Sequence, residues 1–459
     1  MEKRKTVGMT DMTVGHPGKL ILLFSLPLLA GNILQQAYNM VDSIVVGNYV
    51  GKEALAAVGT AFPIIFLLIS VFMGLGIGAT IMVSQFYGAG DMDRVKRTVD
   101  TIYKGLLWGA VPLTILGMLI SGPVLRLINV PDDTYPLAHL YSLIIFAGII
   151  GNLGYNANAG ILQGLGDSKT PLLFLAIACV MNIVLDILFV VGFHWGVAGV
   201  ALATIISQFF SWIFGIFYIN QKYPDIHLNL FQLKFDKELF QNIVRLGVPA
   251  GAQQALFSVG IMVMTSLVNS HGSDFMAGFN GANKLDTFAF MPIQSFGTAA
   301  TTFVGQNIGA GRLDRVKTGV HWTLFMSCGF SIFVAALLVP AAPTMMRLFN
   351  QEPQVIASGV DYLRCMMPWL WMLAIMFTLS SIMRGAGEMM IPMVTSIISL
   401  WLARVPAAYL INAVWGKEFM FYSYPVGWVL GLAIVCPAYF KGRWREKSVV
   451  HHEENNSLE

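Results

Sequence analysis

Charge is what this 459-residue chain has least of. Only 12% of its residues are Asp, Glu, Lys or Arg, about half the share found in soluble globular domains. That scarcity excludes a soluble enzyme, a disordered chain and a nucleic-acid binder that relies on basic patches. Cysteine is also sparse. Cys179, Cys328, Cys365 and Cys436 each lie within an apolar run, without Cys-x-x-Cys or Cys/His spacing, and read as small core residues. The histidines His139, His194 and His271 fall near chain turns with no metal-ligand spacing. No cleavable leader is expected from the stretch 1–17, which is polar, with no short apolar core before a small-residue cleavage site. The polar tail closing on Asn456-Ser457-Leu458-Glu459 reads as disordered.

What the chain has is apolar length. Hydrophobic residues make up 56% and the mean hydropathy is +0.67. Runs of about 20 apolar residues, enough to cross a hydrocarbon core as a helix, recur along it. They predict an all-α polytopic membrane protein with twelve spans: 18–46, 54–85, 99–122, 136–163, 169–192, 196–219, 239–268, 275–305, 317–341, 357–383, 391–414 and 422–440. Pro27, Pro63, Pro112, Pro249 and Pro292 lie inside these runs, where neighbouring helices can satisfy the freed backbone groups. The short loops on the N-terminal side hold 19 Lys and Arg and those on the opposite side four, so the positive-inside rule predicts cytoplasmic termini.

The chain is also duplicated. VSQFYGAGDMDRVK at 83–96 returns as VGQNIGAGRLDRVK at 304–317, a shift of 221 residues. At the same shift GLGD (164–167) meets GAGE (385–388), and Pro171 meets Pro392. Residues 1–219 therefore read as one six-helix lobe, 220–238 as a cytoplasmic link, and 239–459 as a second lobe with its tail. Six spans return the chain to the same side, so the halves are parallel repeats, an arrangement in which transporters place substrate between the halves.

Ionisable groups inside spans are costly and therefore informative. Asp42 and Asp186 each lie roughly 8–10 Å below the outer surface at 1.5 Å per residue. Asn39 stands at i−3 from Asp42, Gln35 one turn deeper, and Asn182 at i−4 from Asp186; Thr204 reaches a similar depth on the next span. Two carboxylates, carboxamides and a hydroxyl can bind a small cation, Na⁺ at Asp42, Asn182, Asp186 and Thr204, or the two acids can share a proton. They can also simply hydrogen-bond helices together. In the second half Asp42, Asn182 and Asp186 correspond to Met264, Ala403 and Ala407, so the cluster belongs to one half only. That half has its own charges, Lys284, Asp286 and Arg404, which read either as a helix-orienting ion pair or as a cavity lining with Asp286 facing a cationic substrate. Sixteen of the 25 methionines fall in the second half, among them Met262, which with Gln35 of the first span is a further candidate for the substrate cavity.

The tandem halves, QQAYNMVDSIVVG at 35–47, the two GAG turns and Asn182-x-x-x-Asp186 together resemble the multidrug and toxic compound extrusion (MATE) transporters over about residues 15–440, and the DinF-like and MepA-like branch more than the NorM branch. The resemblance implies two pseudo-symmetric six-helix bundles, alternating access, and export of organic cations or drugs driven by inward H⁺ or Na⁺. It implies a coupling site at Asp42, Asn182, Asp186 and Thr204. The expectation is thus a cofactor-free antiporter, a monomer in the bacterial cytoplasmic membrane, with no nucleic-acid partner. A flippase for a lipid-linked or amphipathic substrate is the alternative. An intramembrane enzyme is disfavoured because no Gly-x-Ser-x-Gly or His-Glu-x-x-His occurs, and His321 is the single mid-span histidine.

Overall fold

The computed structural model describes residues 10–128 and 130–450; the basic run Lys3–Lys5 and the polar tail lie outside the described residues. Among the described residues every long element is helical. We number the spans α1 (Pro17–Val50), α2 (Lys52–Ala89), α3 (Met92–Leu127), α4 (Tyr135–Ala147 with Ile149–Gly164), α5 (Lys169–Gly192) and α6 (Gly196–Lys222). The second half holds α7 (Lys237–Asn269), α8 (Ser273–Gly309), α9 (Leu313–Arg347), α10 (Pro353–Gly385), α11 (Met390–Trp415) and α12 (Lys417–Lys441). The protein is a twelve-helix, multi-pass membrane protein. Eleven of these spans are apolar enough to cross a bilayer by length and composition, with the bent α4 counted as one. The twelfth, α8, carries the intramembrane charges Lys284 and Asp286.

Several helices run past the ends expected from hydropathy. The α3 helix starts at Met92 rather than near 99, and α9 ends at Arg347 rather than near 341. Hydropathy registers only the part in lipid, whereas amphipathic ends such as Asp93–Arg97 continue the helix into water. All five prolines predicted within spans sit inside helices.

The duplicated motifs are turn chemistry. After α2, Gly90 takes φ 76°, and after α8, Gly311 takes φ 70°. That is the left-handed region which ends a helix cheaply only at glycine. In the second motif Asp167 accepts the Lys169 and Thr170 N–H groups at 3.1 and 3.0 Å. Its repeat Glu388 accepts those of Met390 and Ile391 at 2.9 and 3.2 Å. Each acid thus caps the helix that follows it.

By packing, the described chain forms two compact units, residues 10–11 and 30–252 in one, and 12–29 and 253–450 in the other. The boundaries fall inside α1 and α7, just beyond Pro27 and Pro249. In the first unit α7 lies against α2 at four glycines: a Cβ on Gly74 would meet Gly247 O at 2.3 Å, and one on Gly251 would meet Val71 Cα at 2.8 Å. In the second unit Met12, Ile21 and Phe24 are buried among Ala299, Phe303 and Val320.

Candidate functional site

Three helices of the first unit are held in a fixed register. Gly148, Gly151 and Gly154 form a small-residue stripe on α4, and α6 packs directly onto it. A Cβ on Gly148 would lie 2.5 Å from Ile205 Cβ, and one on Gly151 2.8 Å from the Phe209 backbone nitrogen. Small residues permit such approach between membrane helices. Asn158 locks the contact: it accepts from the Tyr103 hydroxyl and donates to the Trp212 carbonyl at 3.0 Å. Ser211 donates to the Phe174 carbonyl at 2.9 Å and ties α6 to α5.

This scaffold brings Asp42, Asn182, Asp186 and Thr204 together. Asp186 is fully buried, Asn182 nearly so, and Asp42 and Thr204 are half-buried. With its amide nitrogen toward Asp186, Asn182 donates to Asp186 Oδ2 at 2.9 Å and accepts from the Thr204 N–H at 3.2 Å. The Thr204 hydroxyl donates to the Val200 carbonyl at 3.1 Å. The carboxyl groups of Asp42 and Asp186 lie within hydrogen-bonding reach of each other, and Oδ1 of each is buried with no donor on it. Two acceptor oxygens brought together in a dry interior require a proton or a cation between them.

Asn39 is not part of this contact. It is exposed, and its carboxamide oxygen accepts from Gln35 Nε2 at 3.4 Å along α1. The position one residue earlier is in the cluster instead. Tyr38, at i−4 from Asp42, shares a side-chain hydrogen bond with Thr204 and feels both acids, and Tyr141 of α4 feels both as well. Helical spacing alone could have singled out Tyr38; Tyr141 carries no signal in sequence because its partners are on other helices.

Both carboxylates adjoin irregular helix. A stretch of wider π-helical turns, Val46–Val50, begins one turn after Asp42, and another, Ile187–Gly192, begins directly after Asp186. Such turns leave backbone carbonyls weakly bonded and are frequent at functional sites. Among the described residues no three His, Cys, Asp or Glu side chains converge. The donor set here is mixed: two carboxylates, a carboxamide and a hydroxyl, oxygen ligands that suit a hard cation or a proton.

The second unit distributes its charges differently. Lys284 and Asp286 form no salt bridge. Lys284 is exposed with its ammonium 6.0 Å from the Phe349 ring centroid, while Asp286 accepts from the Tyr362 hydroxyl at 3.1 Å. Arg404 lies over the Tyr424 ring. Met262 is 49% exposed on α7. Met264 and Ala403, at the positions repeating Asp42 and Asn182, are buried and apolar, and Ala407, repeating Asp186, is half-buried.

Comparison with known proteins agrees with this architecture. The MatE family matches residues 27–188 and 249–410, one segment in each half, and the segments begin at the intra-span prolines Pro27 and Pro249. The probable multidrug resistance protein YpnP of Bacillus subtilis (strain 168) is 32% identical over 442 residues, spanning 95% of this chain and 97% of that protein. The probable multidrug resistance protein YoeA of the same organism is 30% identical over 439 residues, spanning 93% and 94%. A solved structure of an outward-facing multidrug resistance MATE family transporter of the MOP superfamily shares the fold. Its TM-score is 0.89 at 24% identity, over 97% of this chain and 100% of that one. Duplicated halves, twelve spans and a full-length match at this identity lead to one assignment: the chain belongs to the MatE family and is a MATE transporter.

Proposed function

We propose that this transporter exports small organic cations and drugs across the bacterial cytoplasmic membrane, by alternating access, in exchange for an inward cation. The cation binds at Asp42 and Asp186, with Asn182, Thr204 and Tyr38 completing the site, and H⁺ is preferred over Na⁺. Both termini are cytoplasmic, and the protein acts as a monomer without a cofactor. The observation that carries the reading is the facing pair of carboxyl groups with donor-less buried oxygens, held on two helices that each loosen into π-helical turns beside the acid.

The chemistry follows from that contact. When a proton or cation lies between the carboxyl groups, α1 and α5 attract through it. When it leaves, two like charges face each other in a medium of low dielectric and push the helices apart. Loading the site therefore changes how α1 packs, and a substrate that needs the unloaded packing is released. Binding of cation and of cargo is negatively coupled. Relatives carrying multidrug resistance names support the cargo class, and the excess of Lys and Arg on one side supports the orientation.

The test is efflux of a fluorescent organic cation from energised cells, with Na⁺ varied at fixed pH and then with the proton gradient collapsed. Efflux that stops when the proton gradient collapses and ignores Na⁺ is the expected result. Parent protein that inserts and moves no cation under any gradient contradicts the reading.

A further inference from the structure

Arg404 is a guanidinium within a span that no group among the described residues neutralises at contact. It ends a π-helical stretch of α11, Ile398–Arg404, and packs against α12, where a Cβ on Gly427 would lie 3.0 Å from Arg404 Cβ. Its guanidinium lies 3.2 Å from the Tyr424 ring centroid. Among the described residues it donates no hydrogen bond and meets no carboxylate within salt-bridge distance, and its Nε is buried without an acceptor. An arginine inside a bilayer ordinarily has a counterion or a carbonyl on it. Asp286, on α8, is the complementary case. Among the described residues it is held by one bond, from Tyr362, and the Arg404 charge acts on it across space without touching it. Aromatic rings surround the pair: Tyr362 stands edge-on to Tyr424 at 5.7 Å, to Phe421 at 4.9 Å and to Phe279 at 5.3 Å.

We propose that Arg404 and Asp286 are the two ends of a recognition site for zwitterionic groups. The carboxylate or phosphate of the ligand takes the guanidinium, and its ammonium takes Asp286 Oδ1, which accepts no bond among the described residues. The charge arithmetic selects for this class. The empty pair is neutral and stays neutral with a zwitterion between its ends. A simple cation at Asp286 leaves the guanidinium repelling it, and a simple anion at Arg404 meets the carboxylate. The inference rests on the exporter reading and adds zwitterionic solutes to its cargo, at a site apart from the one that couples the cation. An amphipathic solute and a phosphatidylethanolamine headgroup share this chemistry.

The test uses purified full-length protein in phosphatidylglycerol vesicles and calorimetric binding of three matched probes: phenylalanine (zwitterion), phenylalaninamide (cation) and N-acetylphenylalanine (anion). The parent is expected to prefer phenylalanine by about tenfold. Arg404→Met shifts the preference to the amide, Asp286→Asn shifts it to the acetyl compound, and each shift itself shows a folded variant. Loss of phenylalanine binding on adding phosphatidylethanolamine assigns the headgroup as a competing ligand; unchanged binding assigns the soluble class. If no probe binds, retention of phosphatidylethanolamine by the parent and by neither variant supports the headgroup. Equal affinities in the parent, a preference unmoved by Arg404→Met, or neither probe nor lipid bound overturns the proposal. The exporter reading is scored separately by organic-cation efflux from the parent. Efflux with no charge preference removes this inference alone, and charge preference without efflux removes the exporter reading alone.

Discussion

Asp167 offers the most calculable perturbation in the molecule. It sits in the turn between α4 and α5, 4% exposed, with five donors converging on it. The Lys169 and Thr170 N–H groups reach Oδ1, while the Thr170 hydroxyl at 2.6 Å, the Lys222 ammonium at 2.9 Å and the Tyr223 hydroxyl reach Oδ2. Burial alone would push this carboxyl up, but the bonds from Thr170, Tyr223 and Lys222 outweigh it and hold it below its ordinary range. Asp167→Asn keeps an oxygen for the helix cap and leaves Lys222 without its counter-charge. Losing one partner of a buried pair costs about 3–5 kcal/mol, and the retained cap places this variant near the lower end. For a unit of this size that is roughly 6–12 °C in Tm at 2–4 °C per kcal/mol. Because the folded carboxyl titrates below its unfolded value near 4, its contribution is complete at neutral pH and is lost as pH falls through the folded value. The gap between parent and variant is therefore full at pH 7 and closes below about pH 4. Tryptophan-fluorescence melts of the detergent-solubilised protein measure it. Its repeat is the internal control. Glu388 caps α11 but has no cationic partner among the described residues, so Glu388→Gln costs about 1 kcal/mol or less. Equal melts for parent and Asp167→Asn at pH 7, or a gap that widens in acid, would refute the reasoning.

Three further outcomes follow from the first unit. Gly151→Leu forces a side chain onto the α6 backbone, 2.8 Å away at Cβ, and should lower Tm by at least the few degrees that about 1–3 kcal/mol of overpacking implies. Tyr38→Phe removes one bond to Thr204 and should raise the ion concentration for half-maximal efflux by about threefold to tenfold, the equivalent of one hydrogen bond. Asn182→Ala should abolish ion-driven efflux, whereas Asn39→Ala, whose exposed side chain bonds Gln35 alone among the described residues, should leave it within twofold, roughly the scatter of a neutral surface change.

Much of this was readable from sequence because lipid penalises the exceptions. Asp42 and Asp186 stand out in apolar runs, and depth along their helices brings them to one level. The GAG turns and the paired acids Asp167 and Glu388 are legible for a similar reason: a left-handed glycine and a capping acid are local chemistry. What sequence left open depends on rotation and on contacts between helices. Asn39 and Tyr38 are adjacent, both within a turn of Asp42, and only the α1 rotation decides that Tyr38 meets Thr204 while Asn39 faces away. Tyr141 and the free guanidinium of Arg404 depend on which helices become neighbours. The division of α1 and α7 between the two packing units is also invisible to hydropathy, which sees each as one continuous run.

In the proposed cycle cation and cargo compete through Asp42 and Asp186. That competition is tested most directly by the affinity of the purified protein for a fluorescent organic cation, measured against pH and then against Na⁺, in the parent and in Asp42→Asn/Asp186→Asn. The parent's cargo affinity is expected to fall as the coupling ion rises, and the double variant to bind cargo with an affinity independent of that ion. An ion dependence that survives in the double variant would contradict it.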